Sequence, residues 1–71
     1  SGLVVAQVES NSPAGEAGVK PGDIILEGGQ VEVRSVQEFN RKMESYKVGD
    51  TVLFLLKRGT ATLYLTLKVT D

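Results

Sequence analysis

Near the end of the chain, apolar and polar residues alternate strictly. Leu63, Leu65, Leu67 and Val69 interleave with Thr62, Tyr64, Thr66 and Lys68. A period of two predicts a strand over 61–69 with one buried and one wet face. The preceding run, Val52-Leu53-Phe54-Leu55-Leu56, is apolar without interruption and predicts a strand over 51–57 covered on both faces. Arg58-Gly59 is the turn between the two. At the other end, Leu3 to Val8 reads as a strand, with Val4, Ala6 and Val8 on one face and Leu3, Val5 and Gln7 on the other. Both faces are mostly apolar, so both are expected to be covered. Ile24-Ile25-Leu26 reads as a buried strand, Gly28-Gly29 as a break or turn, and Gln30 to Val33 as a short alternating strand. Between the strands the period changes. Val36, Phe39, Met43 and Tyr46 are spaced three, four and three, which is one stripe of a helix. Ser35-Val36-Gln37-Glu38 opens that helix as a capping box. The helix is expected to end near Tyr46 or Lys47, with Gly49-Asp50 as the turn out.

The stretch Ser12 to Asp23 holds both prolines and three of the eight glycines. Ser12 suits an N-cap and Pro13 the first helical position, where its missing N–H is not needed. Gly18 suits the left-handed residue that ends a helix, with Val19 as the apolar contact beyond it. Lys20-Pro21-Gly22-Asp23 then predicts a type II turn. A helix of about five residues is not stable alone in water, so flanking strands must hold it.

The pattern Val8, Ser12-Pro13-Ala14, Ala17-Gly18 and Pro21-Gly22-Asp23-Ile24-Ile25 resembles the core signature of PDZ domains of the bacterial type, found in Do-type (HtrA) serine proteases and other envelope proteases. The similarity continues through Val33, the helix from Ser35, Gly49-Asp50-Thr51-Val52 and the hairpin at Arg58-Gly59. The ending, Arg58 to Leu65, is most similar to the last PDZ domain of Do-type proteases. The resemblance implies an α+β, mainly β fold: a small, partly open barrel or sandwich of about five strands with one short and one longer helix. It also implies a peptide groove, with the longer helix as one wall and a strand edge as the other. Helix residues one, five and eight would face the groove, here Val36, Asn40 and Met43; Phe39 and Tyr46 would be core. Leu3 and Val5 would lie on the strand edge beside the groove. In the bacterial type, the loop that captures a peptide carboxylate precedes the segment matching Leu3 to Val8. The expectation is therefore a single PDZ-like domain over 1–71 without that upstream loop and strand. At Gly28-Gly29 many relatives carry Asn or Asp followed by Gly.

Composition narrows the chemistry. The chain has 71 residues, a net charge of −1, no cysteine and no histidine. Disulfides, thiolate metal sites and the commonest general base are all excluded. Ser12 and Ser35 are better explained as caps than as nucleophiles, because no histidine is present to activate them. The carboxylates are scattered and read as solvated surface groups; Asp23 and Asp50 each follow a glycine, where Asp bonds its own turn. No phosphate loop or calcium loop is present. The near-neutral charge argues against a nucleic-acid binder. No apolar run reaches the length of a membrane span.

Composition points to a non-catalytic, cofactor-free chain, and the resemblance implies a peptide-binding module of a bacterial periplasmic or envelope serine protease. It would recruit or gate proteolysis by binding extended or C-terminal segments, with hydrophobic C termini as the expected partners and an oligomeric parent. Two alternatives stay open. One is a PDZ-like assembly module of a secretion or envelope complex. The other is a PDZ domain of an intramembrane or processing protease.

Overall fold

Strand alternation and a two-residue turn make the largest unit, a hairpin of β4 (Thr51–Arg58) and β5 (Ala61–Lys68) paired in register from Thr51↔Lys68 to Arg58↔Ala61. Gly59 supplies the positive φ, 60°, that this tight turn requires. The computed structural model describes residues 2–70; Ser1 and Asp71, at the ends of the expected domain, lie outside the described residues. The remaining elements are β1 (Leu3–Val4), α1 (Pro13–Ala17), β2 (Ile24–Gly28), β3 (Val31–Glu32) and α2 (Val36–Glu44). All strands join one antiparallel sheet in the order β1-β2-β4-β5, with β3 also on β2. The architecture is the expected five strands with one short and one longer helix, and the sheet does not close into a barrel.

β2 is the organising strand. Its one edge is paired to β4, while its other edge is shared: Ile24 and Ile25 pair with β1, and Glu27 and Gly28 with β3. The β2–β4 register shifts between Ile25 and Glu27. Such a bulge bends a strand and increases its twist. The extra residue, Leu26, is not left unpaired, because its carbonyl accepts from the Val33 N–H at 3.0 Å. The β2–β3 turn has positive φ at both Gly29 (61°) and Gln30 (68°), the type I′ geometry that suits a two-residue hairpin. The core lies on the inner face of β4, where Val52, Phe54 and Leu56 are buried with Val19, Ile25, Val33 and Leu67.

Three expectations are corrected. The first strand is only Leu3–Val4, and its alternation breaks after Val5. Leu3, Val5 and Val8 all pack against the core, so Val8 joins the face of Leu3 rather than that of Val4. Val4 is 65% exposed, so its face is not covered. The long helix ends at Glu44, where the backbone tightens to bonds three residues back. Ser45 N–H donates to Lys42 C=O at 3.1 Å and Tyr46 N–H to Met43 C=O at 3.2 Å, and the Ser45 hydroxyl also donates to Lys42 C=O at 2.6 Å. Asp23 is not a solvated carboxylate but a buried one, 2% exposed.

Asp23 ties the fold's parts together. Its Oδ2 accepts from the Lys20 N–H at 2.9 Å, closing the predicted turn, in which Asp23 N–H also donates to Lys20 C=O. Arg58, at the end of β4, donates through Nε to Oδ1 at 2.9 Å and through Nη2 to Oδ2 at 2.8 Å. The same Nη2 donates to the Gly18 carbonyl at 2.9 Å. Gly18, at φ 99°, ends α1 in a Schellman arrangement: its N–H reaches Gly15 C=O, and Val19 N–H reaches Ala14 C=O. One guanidinium thus joins the β4–β5 hairpin to the end of α1 and to the turn into β2.

The bidentate Arg58 contact holds the Asp23 carboxyl below its ordinary value of 3.8, against the opposing effect of burial and with help from the Lys20 N–H and the nearby positive charges. A depressed carboxyl pKa adds stability that is complete above about pH 4 and is lost as pH falls through the folded-state value. Asp23→Asn should therefore lower the melting temperature at neutral pH. It should also show a smaller further loss than the parent between about pH 4 and pH 2. Thermal melts across that range check this; identical acid profiles would show that the ion pair contributes nothing.

Candidate functional site

The candidate site lies between the first extended segment and α2. Leu3, Val5 and Val8 project from the segment, Val36, Phe39 and Asn40 from α2, and Ala14, Val19, Phe54 and Leu56 form the floor. The cavity measures about 420 Å³ and is lined mainly by carbon, within the usual size range of ligand pockets. It runs on past Asn40 into a second depression bounded by Met43, Pro13 and Val69. Ala14, Phe39, Asn40 and Leu67 border both, so the two form one trough along α2.

Each wall has a backbone reason. On one side, Val5 N–H donates to Asp23 C=O and Val5 C=O accepts from Gly22 N–H, both at 2.8 Å. Val5 therefore spends its polar groups toward β2, and alternation turns those of Val4 and Ala6 the other way. No backbone bond joins 6–8 to another segment among the described residues. This leaves a strand edge open along the trough. On the other side, α2 starts at Ser35, whose Oγ accepts from the Glu38 N–H at 3.1 Å. No α2 residue is buried. The helix is held by half-buried Phe39, Met43 and Tyr46, and by a tilted contact of Phe39 with Phe54 whose ring centroids are 6.0 Å apart.

The residues expected at a groove fall as follows. Val36, 56% exposed, and Asn40 border the 420 Å³ cavity, and Leu3 and Val5 form its opposite wall. Met43 lies farther along the trough and also leans on the core. Phe39, expected as core, packs against the core and lines the trough as well. Sequence reasoning missed the floor: Ala14 sits on a five-residue helix, and nothing local predicts that this helix packs beneath the trough. Gly15 lets the loop at 9–10 lie close against this helix, since a Cβ there would come within 2.6 Å of the Glu9 carbonyl oxygen. Among the described residues, no three acidic, histidine or cysteine side chains gather to hold a metal, and no helix is long and apolar enough to cross a membrane.

Comparison with known proteins finds related sequences and folds. The family model described as "PDZ domain" matches residues 1–69. The chain is 39% identical over 67 residues to a probable periplasmic serine endoprotease, DegP-like, of Chlamydia trachomatis, covering 94% of this chain and 13% of that protein. Among solved structures, the PDZ domain of the SdrC-like protein of Listeria monocytogenes matches with a TM-score of 0.88 at 34% identity, over 99% of this chain and 73% of that one. The HtrA3 PDZ domain, bound to the phage-derived ligand FGRWV, matches with a TM-score of 0.86 at 25% identity, over 96% and 62%. The chain spans only 13–14% of the length of the first curated relatives it matches.

The two faces of α2 differ in what they support, and stability should report it. Phe39→Ala should cost about 2–3 kcal/mol, below the 3–5 typical of a fully buried aromatic, since Phe39 is half-buried but loses its Phe54 contact. Val36→Glu should stay within about 0.5 kcal/mol of the parent, as exposed substitutions do. Urea unfolding of both variants measures this; a large loss for Val36→Glu would place that side chain in the core.

Proposed function

The chain belongs to the PDZ domain family, homologous to the PDZ domains of HtrA and DegP proteases, and from that premise we propose that its trough binds extended peptide segments. The observation that carries this reading is the pairing of an open strand edge at 4–6 with a helix wall at Val36, Asn40 and Met43. An added strand would take backbone hydrogen bonds from the edge and place alternate side chains against α2. Val36 and Met43 would then meet apolar side chains, with Asn40 between them as a polar contact. Met43, unbranched and polarizable, adapts to different side chains. The ligand on the HtrA3 domain ends in Trp-Val, which supports hydrophobic C termini as the preferred segments.

In the whole protein, the module would recruit or gate a serine protease of the bacterial periplasm or envelope. The catalytic groups would reside in another domain, and the parent would be an oligomer. The strand carrying the carboxylate-binding loop would come from the region upstream of Leu3 in that parent.

The test is a titration with FGRWV, followed by backbone amide NMR. It uses this chain and a form extended upstream by the parent's own sequence for about one strand and its loop, roughly 10–15 residues. The extended form should self-associate less, because its own added strand covers the edge at 4–6. It should also bind more tightly, because that strand offers the peptide a new edge beside α2 together with the carboxylate loop. Val36→Glu or Met43→Glu in it should weaken binding at least about tenfold, since a buried charge would face an apolar side chain. Equal affinity in the two forms would instead make Gly2 to Val5 the carboxylate loop. Failure of both forms to bind any peptide with a hydrophobic C terminus would overturn the peptide reading.

A further inference from the structure

α2 has a second cleft on its other flank. This cleft lies between β3 and the helix, measures about 270 Å³, and is lined by Val31, Val33, Met43, Tyr46, Val52 and Phe54. It shares Phe39, Met43 and Phe54 with the trough but opens on the opposite side of the helix. One end is closed by the Gly29 turn. Tyr46 and Lys42 lie so close to Gly29 that a Cβ there would collide with the Tyr46 hydroxyl and lie 3.0 Å from Lys42 Cε. The Lys42 ammonium sits at this end, 5.8 Å from the centre of the Tyr46 ring.

We propose that this cleft is a separate binding site for a small amphipathic carboxylate, with its apolar body against Val31, Val33 and Tyr46 and its anionic head at Lys42. Size and charge both select this class. An apolar cavity of about 150 Å³ already accommodates benzene, so the cleft has room for one ring and a short arm. At the mouth stand Glu32, Glu38, Arg41 and Lys42. Glu32 is paired with Arg34 at 3.4 Å, while Arg41 and Lys42 have no salt-bridge partner among the described residues. With the Glu32–Arg34 pair neutral, one positive charge is left in excess. A neutral ligand leaves that charge unused, and a cation is repelled by it. Lys42 is half-buried, so its contact with an anion is less screened than at an open surface.

The test titrates the chain with phenylacetate, 2-phenylethanol and phenethylamine, watching backbone amides by NMR. Phenylacetate should bind with a dissociation constant on the order of 1–10 mM, as its few atoms allow. It should shift residues of β3 and Tyr46, and the other two probes should bind at least about fivefold more weakly. Lys42→Met, which keeps the apolar stem, should weaken phenylacetate about fivefold or more and leave the alcohol unchanged. Three results would each overturn the proposal. These are saturable shifts confined to Leu3–Val8 and Val36, equal affinity for acid and alcohol, and indifference to Lys42→Met. A melt of Lys42→Met equal to the parent's shows that any loss is of contact and not of fold.

Discussion

The contact between Arg58 and Asp23 is the constraint on which the remaining arrangement depends. The molecule contains its own control for it. Lys47-Val48-Gly49-Asp50 repeats the turn Lys20-Pro21-Gly22-Asp23: Gly49 has φ 97° and Gly22 93°, and each Asp Oδ2 accepts from its Lys N–H at 2.9 Å. The second turn closes on the surface without an arginine. The turn therefore does not need Arg58, and what Arg58 adds is attachment across the chain. It satisfies a buried carboxylate and the carbonyl at the end of α1 with one planar group. Two parallel bonds to a carboxylate fix orientation as well as distance, which a lysine at this position could not do. A helix of five residues gains a defined place against the sheet in this way.

The shape of the trough follows from β2. Because β1 and β3 divide one edge of β2 between them, neither runs the length of the sheet, and the bulge at Leu26 turns one away from the other. β1 leaves β2 after Val5, and the chain crosses to α1 with its outer edge open. The sheet places β5 under α1 and leaves the inner side of β1 facing α2 across a gap. α2 then rests on the core through half-buried side chains alone. A helix attached through one stripe of contacts, with no buried residue, is the element that can adjust to what lies beside it at the least cost in packing. Strong local signals and weak tertiary attachment coexist in it: a Ser cap and a closed last turn define the helix, while its position is set by Phe39, Met43 and Tyr46.

Local physics made most of the elements legible before the structure. The caps at Ser12 and Ser35, the left-handed Gly18 and the hairpin after Arg58 each depend on residues within one turn of one another, and each is present. Long-range pairing was not legible. Asp23 and Arg58 are 35 residues apart, and each has a sufficient local explanation, one as a turn residue and the other as the end of a strand. Nothing in either neighbourhood signals burial of the carboxylate. The first strand was over-extended because an apolar run suits a strand whether or not a partner lies beside it, and β2 offers β1 only two residues. At the site, helical period found the stripe of α2 but not its depth. Phe39 belongs to the core and to the trough at once, since one aromatic ring is wide enough to reach both.

That double role has a consequence for how such a site can discriminate. An open strand edge offers the same donors and acceptors to any extended chain, so it supplies affinity without choice. Choice has to come from the helix wall, and here the wall offers an exposed valine, an asparagine and a flexible methionine rather than a deep, rigid pocket. An added methylene in an apolar pocket is worth only about 1–3 kcal/mol, whereas an unpaired buried polar group or charge costs as much or more. A trough of this composition can therefore exclude charged side chains far more sharply than it can rank aliphatic ones. Under the proposed peptide reading, discrimination by exclusion would suit a module that accepts many apolar segments.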